Sequence, residues 1–122
     1  MKMRIALALL LPVAALFASA SDVRTIDAGA LQKRIESNDK PLVVDVRERE
    51  EFDAGHIKDA MLVPLGTVHE GLSGVAKDRE IVLVCRSGRR SAKAYGILAE
   101  QGFTNLWNLD GGMLAWEKVE KK

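Results

Sequence analysis

The chain has 122 residues, a formal net charge of +1, two histidines and a single cysteine. One cysteine excludes an internal disulfide framework, and with two scattered histidines no Cys/His spacing supports a zinc site. The near-neutral balance gives no polyanion-binding surface, so nucleic acid is not an expected partner.

The first 20 residues read as a segment outside the fold. Met1-Lys2-Met3-Arg4 is basic, Ile5 to Phe17 is apolar around Pro12, and Ala18-Ser19-Ala20 is a small-residue cleavage site. This is the pattern of a secretory signal peptide, and its apolar core is shorter than the roughly 20 residues a spanning helix needs. No cysteine follows the apolar stretch, so a lipid-anchored leader is not expected. Cleavage takes away Lys2 and Arg4, moves the net charge from +1 to −1, and leaves residues 21–122 as one domain without a membrane segment. The expected location is the periplasm, or the exterior if the source has no outer membrane, and the expected state is a monomer.

Along the mature chain, Val23 to Ile26 is a short edge strand, and Asp27 is a cap for a helix over about Ala28 to Ser37 with Leu31 and Ile35 inward. Asn38-Asp39-Lys40-Pro41 breaks the helix, and Leu42-Val43-Val44-Asp45-Val46 is a buried strand. In the charged run after it, Glu48, Arg49, Glu50 and Glu51 read as a solvated helix face and Phe52 as a core anchor. Ala54-Gly55-His56 marks the helix exit. Met61 to Pro64 is a strand and Thr67 to Leu72 a short helix, with glycines 66, 71 and 74 breaking the pattern.

Ile81-Val82-Leu83-Val84 has the length and branching of a strand buried on both faces. A helix over Ser91 to Gln101 follows, with Ala94, Ile97, Leu98 and Gln101 on one side and Gly102 ending it. Asn105 to Leu109 alternates as a last strand, Asp110-Gly111-Gly112 is a turn, and a final helix carries Met113, Leu114, Trp116 and Val119. Strands alternating with helices predict an α/β sandwich, a mostly parallel five-stranded sheet with helices on both faces.

Cys85 therefore stands at a strand's carboxyl end, across a short loop from a helix amino terminus. Unpartnered N–H groups there, with Arg86, Arg89 and Arg90, lower a thiol's pKa and raise its nucleophilic fraction. Gly88 suits a tight turn whose amides point inward at one centre. Asp45 and Arg47 stand just past a neighbouring strand's carboxyl end, the edge where open α/β sheets place their sites.

The run Cys85-Arg86-Ser87-Gly88-Arg89-Arg90-Ser91 resembles the active-site loop of the rhodanese-like sulfurtransferases. Asp45-Val46-Arg47-Glu48, Glu51-Phe52-x-x-Gly55-His56-Ile57, Pro64, and Asp110-Gly111-Gly112 with Trp116 match the family's other motifs in order. The resemblance implies the three-layer rhodanese-like sandwich and a cysteine that accepts a sulfane sulfur as a persulfide. On that basis Cys85 is catalytic and Arg86, Ser87, Gly88, Arg89 and Arg90 bind substrate. Asp45, Arg47 and Ser91 support the loop, and no cofactor or metal is required. Arg90 has a second reading, as a brace from the helix's first turn. His56 is structural, fixing the loop before the next strand.

The donor implied is a small anion such as thiosulfate, since an arginine directly after the cysteine resembles thiosulfate-using loops. The acceptor is cyanide, a thiol or a protein thiol. Two other readings stand beside it: a persulfide carrier that docks a partner without turnover, and a phosphatase or arsenate-reductase-like enzyme. Phosphatase-like loops place five residues between cysteine and arginine, whereas four separate Cys85 from Arg90, a tighter ring that matches one sulfur atom better than a tetrahedral oxyanion.

Overall fold

The computed structural model describes residues 22–121; the leader expected over residues 1–20 lies outside them. Five strands form one sheet: β1 (Thr25–Ile26), β2 (Leu42–Asp45), β3 (Met61–Leu62), β4 (Ile81–Val84) and β5 (Leu106–Leu109). Their order is β1-β5-β4-β2-β3 and every pair is parallel. The helices are α1 (Ala28–Glu36), α2 (Arg49–Asp53), α3 (Arg89–Glu100) and α4 (Gly112–Glu120), with a 3-10 helix over Leu65–Glu70. A wholly parallel sheet needs both faces covered, because its strands are apolar on both sides.

The period of two along each strand sorts the core into two layers. From β4, Ile81 and Leu83 pack with Val44 and Val46 against Ala94 and Leu98 of α3 and Val68 of the 3-10 helix, and Cys85 joins this layer. Val82 and Val84 go to the other face, with Val43, Leu31 of α1, and Met113 and Trp116 of α4. All four residues of β4 are fully buried. Cutting one such side chain back, as in Leu83→Ala, costs about 2–5 kcal/mol.

Local signals fix the helix ends. The Asp27 carboxylate accepts from the Ala30 N–H at 2.7 Å, capping α1. After α3, the N–H groups of Gly102 and Phe103 close on the carbonyls of Ala99 and Leu98, a Schellman ending that folds Phe103 into the core at 3 % exposure.

Three readings change. Phe52 is half-buried rather than a core anchor: α2 buries no residue, and Ile57 takes the core position instead. The helix after β3 begins at Leu65 and runs through Gly66, its 3-10 geometry ending at Gly71. Helix α3 starts at Arg89, so Arg89 and Arg90 belong to its first turn.

Candidate active site

Cys85 follows β4 directly, and alternation turns its side chain to the α3 face. Three loop residues separate it from α3, whose N-cap is Gly88 at φ 101°, a left-handed conformation that glycine adopts without strain. The Gly88 N–H donates to Cys85 Sγ at 3.1 Å, and the Ser91 hydroxyl lies 3.3 Å from the sulfur. Burial pushes the thiol's pKa up. The Ser91 hydroxyl and the main-chain N–H groups of Ser91, Gly88 and Ser87 outweigh it, leaving Cys85 below the ordinary thiol value. The thiol is the floor of this ring: Cys85 is 1 % exposed, under exposed Arg86, Ser87 and Arg89.

The three arginines divide. Arg86 and Arg89 are exposed, and neither takes part in the ion pairs made by Arg34, Arg47, Arg49 and Arg90 among the described residues. Arg90 forks onto Glu51, its two nitrogens 2.7 and 2.9 Å from the carboxylate oxygens. That contact holds the Glu51 pKa down at about 2 and raises that of Arg90. Glu51 also accepts from the Glu48 N–H, closing a reciprocal capping box at the start of α2. Glu48, Arg49 and Glu50 are exposed as a solvated face, whereas Glu51 is not part of it: its pair with Arg90 straps α2 to the first turn of α3.

Asp45 and Arg47 are brought to each other and not to the thiol. The Arg47 guanidinium grips the Asp45 carboxylate at 2.8–3.1 Å and donates to the Gly55 carbonyl at 2.8 Å. Both side chains are buried, 1 % exposed for Asp45 and 7 % for Arg47. Asp45 pairs in register with Val84, so it projects from the sheet face opposite Cys85. His56 stacks on Phe52 with ring centroids 3.8 Å apart, and its Nδ1 lies 2.9 Å from the Phe52 carbonyl, which matches a structural role.

Asn108 escapes a sequence reading that treats β5 as alternation. Its amide donates to the Gly88 carbonyl at 3.0 Å, and its side-chain oxygen shares the single Ser91 hydroxyl hydrogen with Cys85 Sγ. It is 6 % exposed. The available signal is a lone amide in an otherwise apolar strand beside the cysteine strand, since a buried amide needs partners. Beside the loop, a groove of about 510 Å³ is lined by Ala28, Ser87, Gly111, Leu114, Ala115 and Val119. Among the described residues no cluster of His, Cys, Asp and Glu could hold a metal, and no helix is long and apolar enough to cross a membrane.

A cysteine at a strand's end, ringed by amides and a hydroxyl below exposed arginines, is built to hold charge on sulfur. Comparison with known proteins points the same way. A family model described as the Rhodanese-like domain matches residues 27–119. YtwF of Bacillus subtilis is 40% identical over 100 residues, 82% of this chain and 96% of its own. A protein of Allochromatium vinosum named Sulfurtransferase is 38% identical over 96 residues, 79% and 90% of the two chains. The crystal structure of a rhodanese-like domain protein from Staphylococcus aureus superposes with a TM-score of 0.72 at 33% identity, covering 77% of this chain and 91% of that one. The chain belongs to the family of rhodanese-like proteins, among whose single-domain members are sulfurtransferases.

Proposed function

We propose that this protein is a thiosulfate sulfurtransferase working by double displacement through a Cys85 persulfide. The observation that carries the reading is Cys85 Sγ set before the amino terminus of α3, with the Gly88 N–H on it at 3.1 Å and the Ser87 and Ser91 amides adding to the pull that lowers its pKa. In the first half-reaction the Cys85 thiolate attacks the outer sulfur of thiosulfate. A new S–S bond forms, the old one breaks, and sulfite leaves with its electron pair. Exposed Arg86 and Arg89 offset the negative charge of donor and leaving group, while Arg90, committed to Glu51, braces the loop. In the second half-reaction a thiophilic nucleophile takes the terminal sulfur and the thiolate returns.

The groove beside Ser87 leaves room for an acceptor larger than cyanide, such as a thiol of a small molecule or a protein. We place the mature protein, residues 21–122, outside the cytoplasm, on the strength of the basic, apolar and small-residue pattern over residues 1–20. The persulfide then doubles as a form that shields the only thiol from oxidation.

Steady-state formation of thiocyanate from thiosulfate and cyanide tests the reading. The wild type turns over and Cys85→Ser does not. Persulfide formation without turnover would instead make the protein a sulfur carrier, and hydrolysis of an aryl phosphate would move it to phosphatase chemistry.

A further inference from the structure

The first N–H groups of a helix have no partner inside it. In α4 two of them are satisfied by the active-site loop: Met113 N–H donates to the Cys85 carbonyl at 2.9 Å and Leu114 N–H to the Arg86 carbonyl at 3.1 Å. A peptide unit is planar and trans, so fixing a carbonyl's direction fixes the following N–H in the opposite one. Helix α4 packs on the face opposite Cys85 Sγ. The N–H groups of Arg86 and Ser87 are therefore turned away from α4, toward the face that carries the sulfur, and the Ser87 N–H is one of the groups that holds charge there.

This approach depends on Gly112. Its φ is +55°, and a Cβ on it would run into the Cys85 carbonyl oxygen and stand 2.5 Å from that of Arg86. Any side chain at 112 pushes the loop and α4 apart at the two peptides that α4 holds.

We infer that Gly112 and the first turn of α4 are positioning elements for the sulfur site: they clamp the Cys85 and Arg86 carbonyls from behind, so that the next two amides face Cys85 Sγ, with the α4 dipole acting through those peptides. The inference builds on the sulfur-transfer reading, but its test needs no sulfur donor.

The test is the pH dependence of iodoacetamide alkylation, which reads Cys85 alone because the chain has no other cysteine. Leu114→Pro deletes one clamping N–H at a helix position with no intrahelical bond to lose, and the Leu114 side chain is 42% exposed. Leu114→Ala removes the same side chain and keeps the N–H. Leu114→Pro is expected to raise the midpoint by about one pH unit, a roughly tenfold loss of thiolate at pH values below the wild-type midpoint, and Gly112→Ala to raise it further, while Leu114→Ala keeps the wild-type midpoint. For thiosulfate the loss falls on kcat more than on KM. In the wild type, the amide NMR shifts of Met113 and Leu114 titrate with the Cys85 midpoint. Folded Leu114→Pro and Gly112→Ala proteins with a wild-type midpoint would overturn the inference, as would an equal shift in Leu114→Ala. If those variants fail to fold, a flat NMR titration of Met113 and Leu114 in the wild type overturns it. Unchanged thiocyanate turnover in a variant whose midpoint has moved would count against the thiolate mechanism and leave the clamp standing.

Discussion

Two adjacent strands, β4 and β2, end at the same edge of the sheet and hand the chain to loops that use charge in opposite ways. At the end of β2, Asp45 and, two residues on, Arg47 neutralise each other under the surface and tie down the Gly55 carbonyl. Beyond β4, Cys85 is held by main-chain amides and one hydroxyl, and Arg86 and Arg89 stay exposed. The β2 loop is closed and structural; the β4 loop keeps its capacity for an incoming anion. Alternation decides which is which, since Asp45 and Cys85 leave the sheet on opposite faces.

Breaking the β4 side has the largest effect on chemistry. Cys85→Ser removes the sulfur nucleophile, so thiocyanate formation falls to background while thermal unfolding stays near the wild type. Breaking the β2 side has the largest effect on stability. Asp45→Ala strands a buried guanidinium and costs about 3–5 kcal/mol in denaturant unfolding, a large part of what a domain of this size has. Replacing both partners, as Asp45→Leu with Arg47→Met, costs less than the single change, because neither charge is left alone. If Asp45→Ala instead left stability intact and abolished turnover, the division of labour would be wrong.

Arg86→Gln and Arg89→Gln sharpen the contrast. Each raises KM for thiosulfate about tenfold, and the wild-type KM rises with added salt as exposed charges are screened. Stability does not move.

The smallest effect belongs to the strap between the two regions. Glu51 titrates at about 2 in the folded protein, below its ordinary 4.5, mainly because Arg90 holds it. A depressed carboxylate stabilises the fold above its unfolded value and loses that stabilisation as pH falls. Glu51→Gln is therefore less stable than the wild type by under about 1 kcal/mol at neutral pH. The gap is constant above about pH 5 and closes between roughly pH 4.5 and 2. Urea midpoints across that range read it.

How much of this is legible in the chain follows from which forces are local. Ile81 to Val84 announces a doubly buried strand by composition, and Cys85 with Gly88 and the arginines announces the loop. Asp27 announces a cap. The start of α3 is harder to see, because Gly88 caps it through backbone conformation with no side-chain hydrogen bond. Phe52 looks like core by residue type, yet it lies on a one-turn helix that buries nothing, where its ring serves as a platform for His56. Glu51 and Asn108 find their partners 39 and 17 residues away, at Arg90 and Ser91. No local pattern encodes such pairings; only the sheet order brings them together.

The amides around Cys85 are arranged to hold one added sulfur atom. Intact-protein mass spectrometry after brief exposure to thiosulfate reads it directly, with thiol treatment as the reversal. The expected result is a single adduct of about 32 Da, the mass of one sulfur, that localises to Cys85, disappears with a thiol acceptor and is absent from Cys85→Ser. An unmodified wild-type protein, or an adduct that persists in Cys85→Ser, would contradict it.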